Sequence, residues 1–462
     1  MREGIGDSGL GVGGSPNPQP PFPNPPQFRR SLGLGRATAM VVGIIIGASI
    51  FVQPSVVTSH VSSIPAAYAA WAAAGALTLF GALVAAELAS AFPSSGGVYV
   101  FLREAWSPAL GFLWGWAMLW SMHSGIVAAI AVVLGRYVGY FVPLGAAATR
   151  AVAVAAIVAL SAVNYRGVRQ GGAVQAALTV AKVGAIVAIV AAGLALGARA
   201  GHGAVPAPET AAAGPASALR GFALALGAGL FAFGGWHMVT YTAGETVAPE
   251  KTIPRALVIG TLAVTACYIA LNAAYFHVLP LATVKSSTRV AADAADAVVG
   301  HGGGAVMAGV VVLSTLGALN GVILTGPRVY HSMARDGLLF RWLGEVHPAY
   351  HTPHRAIALQ AVWASVLVAT GSYESLFSQV VYTEWVFFAL MALGLWRLRR
   401  RPGYAPRFRV WGFPAAPALF ILASLAIAAN ELAGASAASL PGLLLVLVGV
   451  PVYCARSAHA RH

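Results

Sequence analysis

Apolar stretches of about 20 residues recur along nearly the whole of this 462-residue chain. Each is long enough to cross about 30 Å of hydrocarbon as a helix. They fall at roughly 37–59, 66–90, 108–134, 147–165, 173–197, 220–246, 256–280, 304–330, 356–371, 376–396, 412–432 and 441–456. With 58% hydrophobic and only 9% charged residues, the chain is no ordinary soluble globule. Lipid demands that every backbone polar group be satisfied within the protein, so the expectation is an all-α polytopic membrane protein of about twelve spans.

The first stretch is interrupted. Gly43-Ile44-Ile45-Ile46-Gly47-Ala48-Ser49-Ile50-Phe51-Val52-Gln53-Pro54 is apolar enough to span, yet glycines, a serine and a closing proline break it. Bare backbone at membrane depth is tolerated only where it is buried in protein or lines a cavity. A second break of the same kind lies at Ala232-Phe233-Gly234-Gly235-Trp236. Two broken helices at corresponding places in two halves point to a transporter binding site between inverted repeats. The expected organisation is five plus five spans, about 37–197 and 220–396, with two extra spans over about 412–456. The transporter region runs over 29–456. Residues 1–28, rich in Gly, Pro, Ser and Asn, read as a disordered tail, and 457–462 as a short second tail. No cleavable signal peptide is visible.

The net charge of +14 follows topology better than nucleic-acid binding. With the N-terminus inside, the inner segments hold most arginines, including the run from Arg397 to Arg409, while the outer side holds Arg136, Arg150, Arg199, Arg220, Lys285 and Arg289. That bias places both termini in the cytoplasm, and the arginine run beside a span suits anionic lipid headgroups. No nucleic-acid motif accompanies the charge; Gly9–Gly14 fits GxGxxG, but no strand precedes it. Cys267 and Cys454 lie in separate spans and suggest neither a disulfide nor a metal site. His347, His351 and His354 have helical metal spacing, but Pro348 and Pro353 break that helix, so no metal is expected. Neither a cofactor nor an enzymatic activity is expected, since no H-E-x-x-H or nucleophile–base pair lies in a span.

Four patches carry a family resemblance. The first is Gly43–Pro54. The second is Ala86-Glu87-Leu88 through Pro93-Ser94-Ser95-Gly96-Gly97-Val98-Tyr99. The third is Phe231–Trp236 through Glu245 and Pro249–Ala256. The fourth is Leu319-Asn320-Gly321 with Arg328, Ala334–Gly337 and His347-Pro348. Together they resemble the amino acid–polyamine–organocation superfamily, and within it the L-amino-acid-transporter-like permeases. The resemblance implies a LeuT-type fold with discontinuous helices 1 and 6, and amino acid transport by alternating access. A polyamine or other organocation carrier, or a transport-silent amino acid receptor on the same fold, are the alternatives.

A free amino acid at the bilayer midplane needs partners for both α-groups. A half-helix N-terminus suits a carboxylate, and free carbonyls suit an ammonium. The first break offers N–H groups from Ala48, Ser49 and Ile50. Carbonyls of Ile45 and Ile46, and those near Leu230 and Phe231, are the candidates for the ammonium. The expected substrate site is Ile45, Ile46, Gly47, Ala48, Ser49 and Ile50 with Phe231, Ala232, Phe233 and Gly234. Its apolar character suggests a neutral side chain. Ser49 stands where many relatives have glycine, which narrows the space or adds a hydroxyl donor.

Other positions follow from the resemblance. Phe231 matches the family's gating aromatic, although aromatics also simply fill cores. Trp236 suits a gate or a pocket wall. Glu245 is expected to pair with a cytoplasmic arginine as gate or lock. Lys182, amid Thr179–Ala185, is costly at span centre and therefore a functional candidate. In the family a lysine here takes the place of a coupling sodium ion, which implies sodium independence; it is either a charged strut or a proton carrier. Ser314 and Asn320 are its expected polar neighbours. His123 and His237 read as core histidines, or as proton-path and substrate contacts. Glu87 reads as structural, and Glu384 has no assigned role. Animal members attach a heavy chain through a cysteine between spans three and four; the loop from Gly135 to Arg150 has none, so no covalent heavy chain is expected. A bacterial inner membrane is the expected location.

Overall fold

The computed structural model describes residues 28–196, 215–300, 302–371, 373–434 and 440–459. The connection expected at 198–219 lies largely outside these residues, as do 1–27 of the N-terminal tail and 460–462 of the second tail. Each of the twelve apolar stretches carries helix, the first and sixth with a break inside. In chain order the elements are α1 (Leu34–Ile45), α2 (Gln53–Ser59), α3 (Ile64–Ala91), α4 (Val98–Ala105), α5 (Pro108–Ala117), α6 (His123–Val138), α7 (Ala146–Tyr165) and α8 (Val168–Leu196). They continue with α9 (Pro215–Ala232), α10 (Pro249–Val278), α11 (Leu281–Ser286), α12 (Val290–Val299), α13 (Gly303–Arg335), α14 (His354–Thr370), α15 (Tyr373–Arg399), α16 (Ala415–Gly434) and α17 (Leu440–His459). The connection read at 281–303 is thus two short helices, and α17 runs through His459 into the expected tail. Seven helical stretches are long and apolar enough to cross a membrane. Among the described residues the extended pairing is a single bridge between Leu32 and Thr246.

Local chemistry sets the ends. Ser63 accepts the Ala66 N–H at 3.3 Å and Pro65 opens the first turn of α3; Ser107 does the same for Leu110 ahead of Pro108 in α5. Between α5 and α6 the chain makes a π-helical turn over Met118–Met122, where Ser124 Oγ donates to the Leu119 carbonyl at 2.7 Å. Such turns re-aim the residues that follow. α1 is held against α8, α10 and α13, and α3 packs along α10. The Ser95-Gly96-Gly97 patch has a steric cause. Gly96 and Gly97 have φ of 115° and 49°, and a Cβ on Gly97 would fall 2.2 Å from Thr240 Oγ1.

One end of the bundle is tied shut. Glu245 and Arg328 form a buried two-pronged ion pair, Nε–Oε2 2.7 Å and Nη2–Oε1 2.8 Å. Ser31 and Leu32 donate to the Glu245 carbonyl at 2.8 and 3.0 Å. Asp336, just past α13, accepts from Arg103 and from Tyr99 Oη. Burial, then the Asp336 hydrogen bond, pushes the Tyr99 phenol well above its ordinary range. Glu87 is structural: it takes Arg399 at 2.9 and 2.5 Å and the Val410 N–H at 2.7 Å, fastening the α15–α16 connection to α3.

Candidate functional site

Both expected breaks are present. α1 ends at Ile45. Ile46 N–H still reaches the Val42 carbonyl at 2.9 Å, but Gly47 N–H turns back to Ile45 at 2.8 Å, and a 3-10 turn over Ser49–Phe51 follows. Among the described residues nothing accepts from the N–H groups of Ala48, Ser49 and Ile50, and nothing donates to the Ile44 carbonyl. α9 ends at Ala232, the chain turns through Phe233–Gly235, and a 3-10 helix runs over Trp236–Glu245. Gly235 has φ 91°, and a Cβ there would lie 2.5 Å from Ile44 Cγ2. A glycine is what lets the second break touch the first.

Tyr268 of α10 joins the two. Its hydroxyl lies 2.9 Å from the Ala232 carbonyl and 3.2 Å from that of Ile45. Its ring packs 4.9 Å from Phe233 and 5.5 Å from Trp71.

Lys182 is fully buried in α8. Its ammonium reaches the carbonyls of Ile46 (2.7 Å), Ser314 (2.8 Å) and Gly43 (3.0 Å). An ammonium has three donors, and all three are met. Gly317 leaves the room, since a Cβ there would sit 2.8 Å from both Cε and Nζ. Ser314 Oγ donates at 3.1 Å to Ile46 and 3.0 Å to Gly47. Asn320 is elsewhere. Two turns along α13, it donates to Gly171 and Gln175 and accepts from Asn164. The expected Lys182–Ser314–Asn320 group is therefore a Lys182–Ser314 pair beside a separate amide network.

A cavity of about 450 Å³ lies against both breaks, a volume suited to a small ligand. Ile45, Gly47, Ala48, Ser49, Phe231, Ala232, Gly234 and Trp236 line it, as expected for binding or gating positions. Phe231 is 46% exposed and is no core residue. Ser49 sits beside the Tyr268 hydroxyl.

Three expected positions do not line the cavity. Phe233, in the turn just past α9, is buried on Trp71 and Tyr268. Ile50 is buried and contributes only backbone. Ile46 is off the lining, and its carbonyl accepts from Lys182 and shares the single Ser314 hydroxyl proton with the Gly47 carbonyl. Glu245 lies away from the cavity with Arg328. His123 is a hydrogen-bonded core histidine, Nε2 2.8 Å from the Val322 carbonyl. His237 is buried behind Trp236, off the cavity lining. The sequence reading missed the α6 wall of Ile126, Ala129, Ile130 and Val133, and missed Glu384 and Phe388 of α15. Only the tertiary fold brings these beside the breaks.

An all-α membrane protein with two broken helices around one cavity has the build of a secondary transporter. The chain belongs to the amino acid permease family, whose sequence profile matches residues 32–450, and so to the amino acid–polyamine–organocation superfamily and its L-amino-acid-transporter-like permeases. It is 30% identical over 430 residues to the Serine/threonine exchanger SteT of Bacillus subtilis (strain 168), covering 92% of this chain and 96% of that protein. It is 32% identical over 377 residues to the b(0,+)-type amino acid transporter 1 of Homo sapiens, covering 81% and 77%. It is 29% identical over 442 residues to the Cystine/glutamate transporter of Homo sapiens, covering 95% and 87%. These relatives are membrane transporters of amino acids, not enzymes.

Proposed function

We propose that the chain is a sodium-independent exchanger of neutral L-amino acids, working by alternating access between five-plus-five inverted repeats within twelve spans. The observation that carries this reading is the polarity of the breaks around one cavity. The unbonded N–H groups of Ala48, Ser49 and Ile50 suit the substrate carboxylate, and the unbonded Ile44 carbonyl suits the ammonium. Sodium independence is supported by Lys182, whose ammonium already fills the cluster of carbonyls from Gly43, Ile46 and Ser314. Exchange is supported by the likeness to SteT, a serine/threonine exchanger. Phe231 and Trp236 act as gates on the cavity. The Glu245–Arg328 and Arg103–Asp336 pairs lock the opposite end, which the arginine bias assigns to the cytoplasm together with both termini. The protein works in a bacterial inner membrane without a covalent heavy chain.

The test is uptake of radiolabelled amino acids into proteoliposomes. Uptake requiring internal amino acid but no sodium is the expected result. Accumulation driven by a pH gradient alone makes Lys182 a proton carrier instead, and sodium-dependent uptake overturns the proposed role of its ammonium.

A further inference from the structure

Among the described residues Glu384 is the sole carboxylate on the cavity lining. It lies in α15 with Trp385 and Phe388, which share the lining. Glu87 and Glu245, fully buried in the bundle, are saturated: Glu87 by Arg399 and Val410 N–H, Glu245 by Arg328. Glu384 is not. Among the described residues it makes no hydrogen bond, and His237 Nε2 is 3.7 Å away, beyond hydrogen-bond reach. Both His237 ring nitrogens are themselves buried and unbonded among the described residues. The Glu384 side chain keeps 16% of its surface open, and it does so on the cavity lining.

We propose that Glu384 reads the substrate side chain, accepting a hydrogen bond from a hydroxyl, carboxamide or ammonium at its end. This rests on the amino acid reading above and replaces its neutral side chain with one that ends in a donor. The α-groups are taken by the breaks, the apolar wall of Ile126, Ile130 and Phe231 covers the stem of the side chain, and Glu384 receives its tip. The carrier then prefers amino acids whose side chains end in a donor over apolar ones of the same shape.

The test uses near-isosteric pairs, threonine against valine and lysine against norleucine. They compete for uptake in proteoliposomes and are also scored by ligand-induced thermal shift of the purified protein, which needs no turnover. In the wild type the donor-bearing member of each pair binds about tenfold more tightly or better. Glu384→Gln keeps an acceptor but loses the charge, so the lysine preference collapses and the threonine preference survives. Glu384→Leu abolishes both. Equal potencies within each pair in the wild type overturn the proposal. So do unchanged ratios in Glu384→Leu, or equal weakening of all four ligands, which would assign Glu384 to the α-ammonium. If Glu384→Leu does not fold, the isosteric Glu384→Gln decides by the lysine ratio. A wild type that binds no amino acid removes the amino acid reading itself, an outcome distinct from binding without discrimination.

Discussion

The Lys182 ammonium lies 2.7 Å from the carbonyl oxygen of Ile46, at the point where α1 stops being a helix. One side chain from α8 thereby holds the broken end of α1 to Ser314 of α13. Lys182→Ala leaves the carbonyls of Gly43 and Ser314 without that donor, at about 1–3 kcal/mol for each buried group. Uptake is expected to fall below a tenth of wild type, with a lower melting temperature. Lys182→Arg is not expected to rescue, because the site is already crowded against Gly317. Initial uptake rates and thermal unfolding of both variants check this, and normal uptake by Lys182→Ala would remove the proposed role.

The Glu245–Arg328 pair is fully buried. Arg328→Met leaves a buried carboxylate unpaired, which costs about 3–5 kcal/mol. The double variant Glu245→Met/Arg328→Met removes both charges and is expected to melt above either single variant. Melting temperatures of the four proteins test the coupling; a double variant no better than the worse single one means the pair is not a unit.

The two break glycines make opposite demands. A Cβ on Gly47 would meet only Ala318 Cβ, at 3.7 Å. Gly47→Ala is therefore expected to keep folding and transport, while Gly47→Leu fills the cavity and abolishes uptake with membrane insertion intact. Gly235→Ala meets Ile44 at 2.5 Å in a left-handed conformation, which costs about 1–3 kcal/mol. It is expected to lower both stability and uptake. If Gly235→Ala behaves like Gly47→Ala, the close contact between the breaks is not needed.

Much of this was legible in the sequence because its signals are local. Gly43–Pro54 and Ala232–Trp236 carry their own backbone chemistry, and both breaks stand where the glycines put them. Lys182 stood out by its cost in an apolar run. What stayed hidden depends on tertiary register. Phe231 and Phe233 are equivalent as letters, yet the last turn of α9 leaves Phe231 on the cavity and the turn that follows sends Phe233 to the core. Asn320 shares α13 with Ser314, but six residues place it in a different network. Glu384 looked like one more acidic residue in a span, since nothing in its neighbours says which face meets the cavity.

Tyr268 was equally silent, an aromatic in a long apolar helix. Its hydroxyl sits between the Ala232 and Ile45 carbonyls, one from each broken helix, with a single proton to share. If the breaks move relative to one another during transport, this hydroxyl exchanges one carbonyl for the other. Tyr268→Phe keeps the ring contacts with Phe233 and Trp71 and removes the hydroxyl, with its contact to Ser49. The expected loss is about 1–3 kcal/mol of stability. Exchange is expected to slow more than substrate binding weakens, because binding needs one arrangement of the breaks and turnover needs both. Thermal-shift affinities set against exchange rates for the same variant decide it. A proportional loss in both would make Tyr268 a static brace.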